Sequence, residues 1–207
     1  IGVRLVGSEM CIRDSIHAVS DIHTDYDVNM DWVRTLASEP AYARDVLLLA
    51  GDVSDRMDTL HETLALLAGS FGAVFFCPGN HDLWCRRDGS EGADSLAKLS
   101  RLDELCSALG GLTTPQRIAM ADGSKVSICP LLSFHHVPFD TEPDVTQLRL
   151  PAARAIVSDY KATRWPEPLK CGDESLAERL DIENDRLPGE RSSCLLYTSD
   201  AADEEDS

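Results

Sequence analysis

Three short apolar runs punctuate the first half of the chain. Each stops at polar side chains able to bind a metal. Ile16-His17-Ala18-Val19-Ser20 leads into Asp21-Ile22-His23. Val46-Leu47-Leu48-Leu49-Ala50 leads into Gly51-Asp52-Val53-Ser54-Asp55. Ala73-Val74-Phe75-Phe76 leads into Cys77-Pro78-Gly79-Asn80-His81-Asp82. Short apolar runs bounded by turn residues predict buried strands. Pro78-Gly79 is a strong turn signal, and the unbroken run from Val46 to Ala50 predicts a strand covered on both faces.

Helical periods separate and follow these runs. Met30 to Glu39 is predicted helical, with Trp32, Val33, Leu36 and Ala37 on one face and Pro40 just past its end. Thr59-Leu60-His61-Glu62 fits a capping box. Leu60, Leu64, Leu67 and Ala68 follow at helical spacing, with His61 on the exposed side. Trp84 to Gly92 reads as an exposed loop. Leu96, Leu99, Leu102, Cys106 and Leu109 mark an amphipathic helix stopped by Gly110-Gly111. Asp122-Gly123 between the extended runs Arg117–Met120 and Lys125–Leu132 is a hairpin signal. The long stretch from Ser133 to Asp144 has no period, and loops of that length inside a compact domain are often functional. Trp165-Pro166-Glu167-Pro168 is a stiff connector. Leu176, Ala177, Leu180 and Leu187 mark a last helix.

Strands alternating with helices predict a parallel sheet. Its strands deliver their C-terminal ends to one edge, where ligands bind. Asp21, His23, Asp52, Asn80 and His81 are therefore expected to converge, although about sixty residues of chain separate the first from the last. An amide oxygen or carboxylate binds a metal, an imidazole binds one or moves a proton, and a neighbouring carboxylate orients the imidazole.

Asp21-Ile22-His23, Gly51-Asp52-Val53-Ser54-Asp55 and Gly79-Asn80-His81-Asp82 together resemble the blocks of the calcineurin-like metallophosphoesterase superfamily, in their order and each after a strand. The resemblance covers roughly residues 16 to 187. It implies an α/β fold, a two-sheet α/β/β/α sandwich, and hydrolysis of phosphate mono- or diesters by a metal-activated water. It implies two divalent or mixed-valence ions, manganese, iron or zinc. Asp21 and His23 would hold one, Asp52 would bridge both, and Asn80 would bind the second. His81 would act on the phosphoryl group or leaving oxygen, and Asp82 would hydrogen-bond its imidazole. A Ser-aromatic-x-His-x-x-Phe-Asp-Thr-Glu-Pro stretch resembles that of a plant and protist branch, which makes His136 a candidate site-proximal histidine. A surface position in the loop is the alternative.

The chain departs from the superfamily in one respect. The later histidine and the Gly-His-x-His block do not follow, and the last histidine is His136. By that count three imidazole ligands are lacking. The expectation is a C-terminally incomplete fold of reduced stability, with weak metal binding and little turnover. A non-catalytic binding module or pseudoenzyme on the same fold is the alternative.

Composition changes this picture little. The 207 residues suffice for one domain. A hydrophobic content of 43% and a charged content of 27% are ordinary for a globular protein. No apolar run approaches the ~20 residues of a membrane helix. The formal net charge of −17 argues against a sequence-independent grip on nucleic acid. A phosphorylated substrate of open class is the expected partner. Gly-x-Gly-x-x-Gly and P-loop patterns are missing from the strand ends, which argues against a nucleotide-binding fold. The seven cysteines include no Cys-x-x-Cys and no secretory signal precedes them, so free thiols in an intracellular, reducing compartment are expected. Residues 1–14 and 188–207 lack any period and resemble translated adapter read-through. The expected domain is residues 15–187, with non-native or disordered ends.

Overall fold

The computed structural model describes residues 15–85, 94–137, 143 and 152–186. At its centre lie three parallel strands, β1 (Ile16–Val19), β2 (Val46–Leu49) and β3 (Ala73–Phe76), in that order. Val19 pairs with Leu49 and Leu49 with Phe76. The three C-terminal ends are therefore level, and the three polar loops leave from one edge of the sheet.

Side chains alternate between the two faces of a strand, and here both faces are covered. Leu47, Leu49, Val74 and Phe76 enter a core with Val33 of α1 (Asp27–Ala37), Leu60, Leu64 and Leu67 of α2 (Met57–Ser70), and Leu102 and Cys106 of α3 (Ser95–Ala108). Val46, Ala73 and Phe75 face the other way and pack against Ile118. Ile118 belongs to β4 (Gln116–Ala119), which forms an antiparallel hairpin with β5 (Lys125–Ile128). Helices, a parallel sheet and an antiparallel hairpin thus stack in three layers. Two short helices follow, α4 (Ala153–Ile156) and α5 (Asp159–Ala162), and then α6 (Glu174–Arg186). α6 returns Leu176 and Leu180 to the first core. Its Asn184 side chain bonds both backbone groups of Leu132 at 2.8 Å, which docks the helix on the segment after β5.

Local details differ from the sequence expectation. α1 starts at Asp27 and buries Met30 and Val33, while Trp32 is 47% exposed. Trp32 sits about 100° around the helix from Val33 and falls outside the buried stripe. Thr59 and Glu62 form no capping box, because α2 begins two residues earlier at Met57 with Arg56 at the N-cap. β5 ends at Ile128, short of Leu132. Trp84 is buried, and residues 86–92 of the expected loop lie outside the described residues, as do the two ends, Leu187, and 138–142 and 144. Among the described residues no helix is long and apolar enough to cross a membrane. Cys77, Cys85, Cys106 and Cys171 are free thiols.

Candidate metal centre

The loop after β1 lies along the loop after β2. Asp21 N–H donates to the Gly51 carbonyl at 3.1 Å, His23 N–H to Asp52 at 3.0 Å and Thr24 N–H to Val53 at 2.8 Å. To hold this pairing while turning their side chains together, Asp21, His23 and Asp52 adopt φ of 55°, 39° and 53°. Left-handed backbone at non-glycine residues is uncommon and gathers at functional sites. Among the described residues, these are the non-glycine positions with positive φ. Their ligand atoms lie within 4.8 Å of one another.

Two glycines make room for this approach. A Cβ on Gly51, whose φ is +75°, would lie 2.4 Å from Gly79 N. A Cβ on Gly79 would lie 2.3 Å from Asp52 Oδ1. That same oxygen accepts the His81 N–H at 3.0 Å, so the third loop is bonded directly to the second.

Asp82 holds this junction together, in a role the sequence did not reveal. Its carboxylate is fully buried and accepts four backbone N–H groups, those of Asp52, Val53, Ser54 and Gly79, at 2.8 to 2.9 Å. Burial lifts this carboxyl to about 6, against the pull of its N–H donors. The expectation that Asp82 orients the His81 ring is corrected, since its oxygens are bonded to the backbone of the β2 and β3 loops.

The ring partner of His81 is Asp25. His81 Nε2 lies 3.0 Å from Asp25 Oδ2, and Asp25 Oδ1 accepts the Ser54 hydroxyl at 2.6 Å. Burial pushes the Asp25 carboxyl up, but the Ser54 and His81 hydrogen bonds outweigh it and hold the group below its ordinary value. His23, Asp25 and His81 form a second group of ligand atoms within 4.8 Å, next to the first, and the His23 and His81 rings meet edge to face at 4.7 Å. Asp25 stands two residues past His23, so the spacing Asp-x-His-x-Asp was its available signal.

Asn80 is fixed from a distance. Its Nδ2 donates to Asp159 Oδ1 at 2.8 Å, and the Trp84 indole N–H donates to the same oxygen at 2.6 Å. Asp159 is buried on α5, and a carboxylate there selects the amide orientation that turns the Asn80 oxygen away from it. Nothing in the local sequence marks Asp159. His136 is half-buried, joined to Gly172 by a β-bridge, and lies in neither ligand group. Burial pushes the Cys77 thiol up to about 11, and Cys77 lies in neither ligand group.

The family model of calcineurin-like phosphoesterases matches residues 15–162. The chain belongs to the calcineurin-like phosphoesterase family. Among curated proteins, the [acyl-carrier-protein] phosphodiesterase PptH of Mycobacterium tuberculosis is 27% identical over 191 residues, covering 90% of this chain and 57% of that protein. The crystal structure of the phosphopantetheinyl hydrolase PptH from the same organism matches with a TM-score of 0.65 at 22% identity, over 84% of this chain and 64% of the other. At that identity the likeness establishes the fold. The chain thus spans little more than half the length of its curated relative. The family implies divalent metal ions, and the mixed carboxylate and imidazole donors of Asp21, His23 and Asp52 fit such an ion.

Proposed function

We propose that residues 15–187 form a metallophosphoesterase unit that hydrolyses phosphate esters, with a phosphodiester as the substrate class. The observation that carries this reading is the convergence of Asp21, His23 and Asp52 on strained backbone just past the level ends of the parallel strands β1 and β2. The phosphodiester follows from the likeness to PptH, an [acyl-carrier-protein] phosphodiesterase. A carrier protein bearing such a diester is the corresponding partner.

Asp21, His23 and Asp52 would hold one ion. Asp52 and the Asn80 oxygen would share a second. Bound divalent ions supply Lewis acidity and make water nucleophilic near neutral pH. Manganese, iron and zinc all suit oxygen and imidazole donors. Asp25 takes the Nε2 hydrogen of His81, which leaves Nδ1 to carry a proton to the leaving oxygen.

The test is a calorimetric Mn²⁺ titration of the wild type and Asp52→Asn, run beside hydrolysis of bis(4-nitrophenyl) phosphate. Asp52→Asn is expected to weaken Mn²⁺ by more than the ~100-fold upper range for an outer-shell partner, and to remove turnover. A wild type that binds no divalent ion overturns the reading. Binding without turnover would instead favour a non-catalytic module on the same fold.

Asp159→Ala should weaken Mn²⁺ binding ~10-fold by releasing the Asn80 amide. It should also cost about 1–3 kcal/mol by leaving the buried Trp84 N–H without its carboxylate. Titration and urea unfolding read the two effects separately.

A further inference from the structure

Lys98 of α3 is 0% exposed. Lysine is rarely buried to that degree, because its ammonium must be fully compensated by polar partners. Here Nζ donates to the carbonyls of Asp55 and Trp84, each at 2.6 Å. These two carbonyls come from different loops. Asp55 ends the Gly51–Asp55 segment that presents Asp52. Trp84 follows the single turn His81–Leu83 that comes directly after Asn80.

Asp82 already joins these loops near their inner ends, through the N–H groups of residues 52–54 and 79. Lys98 joins them again at residues 55 and 84, with an opposite charge accepted by carbonyls. The β3 loop is therefore pinned on both sides of Asn80, at Gly79 and Trp84, and the β2 loop is pinned from Asp52 through Asp55. A lysine that served burial alone would need only nearby acceptors. One that draws its acceptors from both loops sets the spacing between Asp52 and Asn80.

We propose that Lys98 is a positioning residue for the metal centre, a buried cation that locks the loops after β2 and β3 in register. The proposal rests on the metal-site reading above.

Lys98→Met keeps the length of the stem and removes the charge and the donors. Leu102→Ala is the control, since Leu102 lies one turn along the same helix, is equally buried and belongs to the apolar core. Two quantities are measured, hydrogen exchange of peptides covering 51–56 and 79–85 in the metal-free chain, and Mn²⁺ affinity by calorimetry. Lys98→Met is expected to speed exchange in both loops about 10-fold relative to β2 and β3, and to weaken Mn²⁺ about 10-fold or more. Leu102→Ala should raise exchange evenly and leave Mn²⁺ affinity within about two-fold. Lys98→Gln, which retains a shorter donor, should fall between wild type and Lys98→Met, and it decides the matter by the same readings if Lys98→Met does not fold.

Loops that exchange no faster than the strands in the lysine variants overturn the proposal. So does a Leu102→Ala loss of affinity equal to theirs. A wild type that binds Mn²⁺ together with lysine variants that bind it as tightly overturns the proposal alone. A wild type that binds no Mn²⁺ overturns the metal-site reading and this proposal with it.

Discussion

Asp82→Asn is expected to cost at least ~3 kcal/mol of stability and to abolish Mn²⁺ binding. The side chain lies in neither candidate ligand group and bonds only backbone N–H groups, so the loss would come through the backbone. The carboxylate receives four N–H groups on two oxygens. The amide keeps one oxygen and brings two donors into a pocket already full of donors. Two or more buried N–H groups would then lie without an acceptor, and the Asp52 loop would detach from Gly79. Urea unfolding and a Mn²⁺ titration read the two losses. The substitution should also remove a slope in stability against pH. With its carboxyl lifted to about 6, the folded chain holds a proton that the unfolded chain has already released. The contribution of this group to stability is therefore present at low pH and falls as pH rises from the ordinary carboxylate value through about 6. The variant should lack that fall.

Gly51→Ala should be nearly as damaging, and Gly79→Ala should damage a different property. The Gly51 Cβ would meet backbone, Gly79 N at 2.4 Å and Gly79 Cα at 2.6 Å, in a residue whose φ of +75° already disfavours a side chain. Neither obstacle can rotate aside. A loss of about 2–4 kcal/mol is expected, with separation of the two loops. The Gly79 Cβ would meet Asp52 Oδ1 at 2.3 Å. That atom can swing on its side chain, and the one backbone clash, Asp52 N at 2.8 Å, is milder than the two that Gly51 would meet, so stability should fall less. The swing would carry a candidate ligand out of place, and Mn²⁺ affinity should fall by at least ~10-fold. Equal effects of the two substitutions on unfolding and on binding would contradict this account.

These contacts show how far the sequence could be read. The strand-then-ligand grammar was legible because it is local. A run of four or five apolar residues followed by Asp, Gly-Asp or Gly-Asn-His needs no knowledge of the rest of the chain. Parallel topology then brings Asp21, His23 and Asp52 together. The roles of the supporting residues were not legible, because their partners lie far along the chain. Asp82 bonds to a loop about thirty residues back, and Asp159 meets Asn80 across a separation of 79. Assigning Asp82 to its neighbour His81 followed adjacency in sequence. In the fold, the turn at His81–Leu83 sends the two side chains to different partners. Asp25 stands two residues past His23 and is marked only by the spacing Asp-x-His-x-Asp. Lys98 lies off the apolar stripe Leu96, Leu99, Leu102, Cys106 and Leu109, and only the packed helix shows it buried with Ser95, Leu102 and Cys106. The failed capping box at Thr59, three positions from the N-cap at Arg56, and the exposed Trp32, one position from the buried Val33, are errors of the scale at which periodicity alone loses phase.

The left-handed backbone at Asp21, His23 and Asp52 has a consequence for anyone engineering this chain. Each of these positions stores conformational energy that glycine would release. A design score that rewards folding alone would therefore favour glycine at the three places where the candidate ligands stand. It would strip the chemistry from the scaffold first and report each step as an improvement.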